Sequence, residues 1–317
     1  MILSPEVLTL LILDFLFVLF TSIVFVISLQ IWKSWDLNST LASQYTLEKR
    51  SFLASTIIKF IFVIKIPLFL FFIFTLDKIS NVLTGAMCGA GVLDATDVGN
   101  YLIMLKVINI YLFAFWLVLN NSDLQNPTQP YTKLKFALFS FIYILLIFEI
   151  YLEVDMFFSF EIEKLVSCCG SLYSSSSDSL ISALFHVDNS LLVSLFYVNY
   201  LFLVIFYFFK NNYFFALSNT LFVINSVFSL IMFFGTYIYE LPSHHCPFCF
   251  LQTDYYFVGY FLYGALFMGT FNGLVVIFKN ELKYYKISML FNSLYLVVVS
   301  LYVGVYYIRN GVLLSPM

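Results

Sequence analysis

Charge is what this sequence has least of. Asp, Glu, Lys and Arg make up only 10% of its 317 residues, against roughly 25% in an average soluble domain. Arginine is confined to Arg50 and Arg309. A water-facing surface cannot be assembled from so few polar side chains, which excludes an ordinary soluble globular fold and makes lipid the main solvent. The net charge of −3 gives no reason to expect a nucleic-acid partner, and no nucleotide-binding motif is present. Histidine is almost as scarce, with only His186, His244 and His245. None lies within a long apolar run, so the paired histidines of a membrane cytochrome are excluded, and the absence of Cys-x-x-Cys-His argues against covalent haem. The N-terminal stretch lacks the basic start and small-residue cleavage site of a secretory signal. It also carries Asp14 inside its apolar run, and it is read as a retained first helix. No internal repeat of the kind that builds many carriers is visible, which weakens an inverted-repeat transporter reading.

What the chain has in abundance is apolar and aromatic surface: 62% hydrophobic residues, 40 Phe and 23 Tyr, with a mean hydropathy of +0.96. A helix needs about 20 apolar residues to cross a bilayer. Eight stretches meet that length, at 7–31, 52–76, 100–120, 135–154, 191–209, 213–239, 255–277 and 287–308. The expected fold is therefore all-α, a single polytopic membrane domain of about eight transmembrane helices. The longest connection, 155–190, is read as an outer loop with interfacial helices at Asp155–Val166 and Asp178–Val187, His186 lying on the surface beside the second.

Orientation follows from the short-loop basic residues. One set of loops holds Lys33, Lys49, Arg50, Lys133, Lys135, Lys210, Lys279, Lys283 and Lys286; the opposite set holds only Lys78, Lys164 and Arg309. This predicts both termini outside, in a bacterial-type inner membrane. Tyrosines near predicted helix ends, Tyr255, Tyr256, Tyr284, Tyr285, Tyr306 and Tyr307 among them, are read as an interfacial belt. Ala265, Gly269 and Gly273 form a ladder of small residues that admits a close neighbouring helix.

All five cysteines, Cys88, Cys168, Cys169, Cys246 and Cys249, fall with the three histidines on the predicted outer side, where disulfides persist. The sharpest local signal is His244-His245-Cys246-Pro247-Phe248-Cys249-Phe250-Leu251-Gln252, before the seventh span. Proline is favoured at a helix's first position, so Pro247 is expected to begin that helix, with Cys246 at its N-cap and Cys249 one turn in. The helix dipole and unpaired amides would then favour a Cys246 thiolate as attacking group, with Cys249 as its partner. Cys168-Cys169-Gly170 leads into a serine-rich loop. Cys88 sits in the glycine-rich run Gly85–Gly91, where glycine permits positive φ or close backbone approach.

A Cys-x-x-Cys followed by x-x-Gln at the mouth of a membrane helix resembles the site of the DsbB and vitamin K epoxide reductase families of membrane thiol oxidoreductases. The resemblance covers Cys246 to Gln252 and implies disulfide exchange coupled to quinone. DsbB-type proteins have four helices and about half this length, and the arginine that follows their motif and helps bind quinone is replaced here by Thr253. From the residues alone three readings stay open. Cys246 and Cys249 form a redox pair with Cys88, Cys168 and Cys169 as redox or structural partners. Alternatively His244, His245, Cys246 and Cys249 hold Zn²⁺ or Cu⁺, with Met87 and Cys88 as further soft ligands. Or the cysteines are structural disulfides bracing the outer loops. A non-catalytic subunit anchoring other membrane or periplasmic proteins is a further alternative.

Ionisable residues inside spans are costly, normally paired and commonly functional. Asp14, Lys65, Lys106 and Glu149 are such residues. Lys59, near a span end, can snorkel. Lys65 is followed two residues later by Pro67, which frees the Val63 carbonyl. Ion pairs Asp14–Lys106 or Glu149–Lys106 are expected, or a polar patch serving proton or ion movement.

Overall fold

The structure is a computed structural model that describes residues 4–36, 42–160 and 188–314. Every regular element among the described residues is helical. In chain order these are α1 (Pro5–Ser34), α2 (Ala42–Ser80), the short α3 (Gly89–Asp94), α4 (Gly99–Gln125), α5 (Thr132–Phe158), α6 (Asn189–Phe209), α7 (Asn212–Ser229), α8 (Gly235–Tyr239), α9 (Val258–Val275) and α10 (Leu282–Asn310). A wide π turn, Leu230–Phe234, joins α7 to α8 into one continuous rod, Asn212–Tyr239. Counting that rod once, eight helices among the described residues are long and apolar enough to cross a membrane. Each expected span finds its helix, and the chain is an all-α, multi-pass membrane protein. The loop helices expected at Asp178–Val187 and the C-terminal part of Asp155–Val166, with His186, lie outside the described residues.

The chain divides into two compact units, one of Met1–Thr84 and Val92–Lys164, the other of Gly85–Gly91 and Leu165–Met317. In the first, α1 packs on α2 and α5, and α4 packs on the same two, closing a four-helix ring. Its core is aromatic: Phe62 stacks on Phe113 at 4.4 Å and meets Trp116 edge-on at 5.4 Å. The Trp116 indole N–H donates to the Lys135 carbonyl at 2.8 Å, satisfying the one polar atom that so large a buried ring carries. Outward-facing Phe15, Phe52, Phe60 and Phe141 remain exposed, as lipid-facing positions should.

The second unit is also a ring, with α6 on α7, α7 on α9, α9 on α10 and α10 on α6. The turn between α6 and α7 is built from Lys210, in the left-handed region at φ 51°, and Asn211, whose side chain accepts the Phe214 amide at 3.2 Å as the N-cap. The small-residue ladder behaves as expected. A β-carbon at Gly269 would strike the Asn292 side chain of α10, and one at Gly273 would strike Asn219 of α7. The room these glycines leave is filled by a buried polar triad: Asn219 Oδ1 accepts from Ser288 at 3.1 Å and from Asn292 at 2.9 Å. Such bonds hold helices together where lipid offers no hydrophobic drive between them.

Two expectations are corrected. The seventh span does not start at Pro247: Tyr256 and Phe257 both sit in the left-handed region, φ 54° and 55°, and α9 begins only at Val258. Tyr285 does not face lipid. It is buried in the second unit's core and its hydroxyl donates to Asn212 Oδ1 at 2.7 Å.

Candidate functional site: a buried three-cysteine cluster

The segment between α8 and α9 is a folded turn. The rod ends at Tyr239, Glu240 adopts φ 53°, and the chain runs through His244–Pro247 into two short 3₁₀ turns, Cys249–Leu251 and Thr253–Tyr255. Gln252, extended at ψ 164°, separates them. Hydrogen bonds from neighbouring side chains hold this path. The Tyr239 hydroxyl donates to the Cys246 carbonyl and accepts from the Phe250 amide at 3.1 Å. The Tyr263 hydroxyl of α9 donates to the Pro247 carbonyl at 2.8 Å. His245 Nδ1 lies 3.0 Å from the Ile231 carbonyl in the π turn, and Gln252 Nε2 donates to the Met87 carbonyl at 3.3 Å.

The last of these bonds brings in the second strand of the site. Gly85 takes φ 94°, as expected of this glycine-rich run, and the chain then carries Cys88 to the cysteine turn. One sulfur each from Cys88, Cys246 and Cys249 lies within 4.8 Å of the others. Cys88 Sγ and Cys246 Sγ are 3.4 Å apart, well beyond the roughly 2.05 Å of a bonded pair. All three residues are buried, at 0%, 1% and 6% exposure. The Phe248 amide donates to Cys246 Sγ at 3.4 Å. The amide contact to this sulfur comes from a local turn and not from the N-terminus of a long helix.

His244 and His245 are not members of the sulfur group. His244 stands edge-on to the Tyr239 ring at 4.4 Å, while His245 is tied to the rod through Ile231. Burial holds the His245 ring below the ordinary histidine range. The Tyr255 phenol, packed edge-on against Tyr239 at 4.8 Å, is pushed up by burial and by the neighbouring Cys249. Cys168 and Cys169 lie outside the described residues. Sequence reasoning missed Tyr239 and Tyr263, since nothing in a tyrosine-rich chain marks which hydroxyls turn inward.

The intramembrane charges form a separate constellation in the first unit. Lys65 Nζ is 2.7 Å from Asp14 and 3.3 Å from Glu149; Lys106 Nζ is 3.0 Å from Glu149 and 2.6 Å from Glu153. Asn109 Nδ2 donates to Glu149 Oε2 at 2.5 Å. The Glu149–Lys106 pair was expected; Asp14 pairs with Lys65 rather than Lys106. Glu153 was overlooked, although its i+4 spacing from Glu149 places both on one face of α5. Lys59 is exposed, consistent with snorkelling.

Fold and site together define a multi-pass α-helical membrane protein with a buried three-thiol cluster. No family model, curated protein or solved structure matches the chain.

Proposed function

We propose that this is a metal-handling membrane protein that binds a soft cation, Cu⁺ or Zn²⁺, through the thiolates of Cys88, Cys246 and Cys249. The convergence of three sulfurs from two distant segments within 4.8 Å carries the reading. Thiolates about 2.3 Å from a shared ion stand about 3.8 Å apart, inside the range this cluster occupies. Soft sulfur ligands select these two metals. Three thiolates complete a trigonal Cu⁺ site, whereas Zn²⁺ takes a fourth ligand. Burial also argues for an ion over a protein substrate, since thiol exchange with a partner requires access to the attacked sulfur. The Tyr239, Tyr263 and Gln252 hydrogen bonds act on backbone around the sulfurs and hold the ligands in place before the ion arrives, the usual role of groups behind a metal's direct ligands. The basic-residue bias favours placing this loop on the non-cytoplasmic side, as for a bacterial-type inner membrane.

The 3.4 Å contact between Cys88 and Cys246 favours a second reading, a thiol redox centre of the kind the Cys246–Gln252 resemblance implies. There, two thiols lose two protons and two electrons to a quinone, giving one S–S bond and one quinol.

Elemental analysis of protein purified without chelator tests the first reading. About one Cu or Zn per chain is expected, lost in Cys88→Ser and Cys246→Ser, with Cys246 and Cys249 resisting alkylation until a chelator is added. Metal-free protein whose three thiols alkylate at once sinks it. A Cys88–Cys246 disulfide that forms on adding a soluble quinone would install the second reading in its place.

A further inference from the structure

The first unit contains a charge array that does not balance. Asp14 of α1, Lys65 of α2, Lys106 of α4 and Glu149 and Glu153 of α5 form one continuous chain of ion pairs, and all five residues are at most 6% exposed. Three carboxyls share two ammonium groups. Another buried pair among the described residues, Lys135–Asp123 at 2.8 Å, is bonded to Thr132 and Asn120 and makes no ion pair with the array. Fully ionised, the array would leave one negative charge inside a membrane span, where charge is normally neutralised.

The hydrogen bonds show where the imbalance falls. Glu149 is fully engaged: Oε1 lies within reach of both lysines and Oε2 takes the Asn109 amide. Asp14 holds Lys65, which is nearer to it than to Glu149. Glu153 holds Lys106 in the same way, nearer to it than to Glu149. Its other oxygen, Oε1, is buried with no donor, as are Asp14 Oδ2 and Asn109 Oδ1. These are acceptors facing a shortage of hydrogens, which a proton on a carboxyl relieves by turning one acceptor into a donor. A cation bound by several carboxylates is disfavoured by the spacing: among the described residues the acidic oxygens do not gather in a group of three within metal-ligating range. A cavity lined by Lys65, Lys106 and Glu149, with room for about one water molecule, lies beside the array.

We infer that this array is a proton-binding site within the membrane, holding one exchangeable proton on one of its two end carboxyls, Glu153 or Asp14. Release breaks that carboxyl's O–H bond, leaves it as a carboxylate against its lysine and passes H⁺ to water; no other bond changes. Buried carboxyls of this kind are the elements from which proton-coupled transport is built. The site is independent of the cysteine cluster and does not rest on its reading.

Infrared spectroscopy of wild-type protein reconstituted in lipid vesicles at neutral pH, in sodium-free buffer, tests this. A carbonyl band of a protonated carboxylic acid should appear, shift in D₂O and disappear in Glu153→Gln or Asp14→Asn, whose neutral amides keep the shape of the acid. Wild-type protein carrying ¹³C-glutamate or ¹³C-aspartate should move the same band with one of the two labels, which decides the matter even if the variants fail to fold. Absence of the band overturns the inference. So does a band that survives in both variants, or one abolished by adding sodium, which would mark a cation site.

Discussion

The hydroxyl of Tyr239 reaches the backbone of Cys246 from the last residue of the sixth span, and the same oxygen receives the Phe250 amide at 3.1 Å. One side chain thus spans the Cys-x-x-Cys turn from end to end. Tyr239→Phe keeps the ring packing against Phe250 and Tyr255 but orphans a carbonyl and an amide. Each buried group left unbonded costs about 1–3 kcal/mol, so a lower thermal midpoint in detergent is expected. Alkylation of Cys246 should also speed up, as read by mass spectrometry of timed samples. A variant with unchanged midpoint and unchanged Cys246 reactivity would show that this hydroxyl does not hold the turn.

His245 gives the second unit an acid-side limit. Because burial keeps its ring below the ordinary histidine range, the folded protein favours the neutral form. The unfolded chain takes up a proton first as pH falls below about 6.5. This contribution to stability is fully present above that value and is lost as pH falls through the folded-state pKa. The thermal midpoint should drop between neutral pH and about pH 5, and His245→Gln should flatten the drop. Equal slopes in both proteins would assign the acid sensitivity elsewhere.

The glycines of α9 differ in what surrounds them. Gly273→Ala drives a methyl into Asn219 and disturbs the Asn219–Ser288–Asn292 triad; overpacking of this kind costs about 1–3 kcal/mol. Gly264, on the same helix, has nothing within 4 Å of an added β-carbon, so Gly264→Ala should be neutral or gain up to about 1 kcal/mol from helix propensity. Comparable melting shifts for the two variants would refute the close approach of α7 to α9.

Lys65 is a test of pairing. Lys65→Leu strands Asp14, and removing one member of a buried pair costs about 3–5 kcal/mol. Asp14→Leu combined with Lys65→Leu removes both, while Glu149 keeps Lys106 and Asn109. The double variant should recover most of the lost midpoint; if it is no more stable than the single one, the two side chains do not form the pair seen here.

Sidedness can be read by labelling. With the native cysteines replaced, Thr128→Cys after α4 and Ser243→Cys before α9, both at accessible positions, should react with an impermeant maleimide from opposite sides. Reaction of both from the same side would sink the alternation of the spans, and Ser243→Cys reacting from the cytoplasmic side would reverse the orientation drawn from the basic residues.

These experiments probe different depths of what the sequence discloses. The spans were legible because some 20 apolar residues in a row have few other uses. The polar positions Asp14, Lys65, Lys106 and Glu149 were legible for the converse reason. Which carboxylate meets which lysine was not, because hydropathy reports depth along a helix and says nothing of rotation about its axis. The meeting of Cys88 with Cys246 is likewise a tertiary event between residues 158 apart. Pro247 misled on the start of α9, since a proline that suits a helix's first turn suits a tight turn equally. The left-handed pair Tyr256 and Phe257, which sets the true boundary, carries no glycine or asparagine to announce it.

The π turn at Leu230–Phe234 makes the cysteine loop depend on a count. A π turn is an α-helix with one residue too many, and here the surplus is followed directly by the residues that end in Tyr239. Deleting a single residue from Leu230–Phe234 would restore ordinary helix and swing everything beyond it by about 100°. Tyr239 would then point away from Cys246, and the Ile231 carbonyl would no longer meet His245. A one-codon deletion inside this span, invisible to hydropathy and harmless to its ability to cross a bilayer, would therefore disconnect the cysteine turn from the helix that supports it.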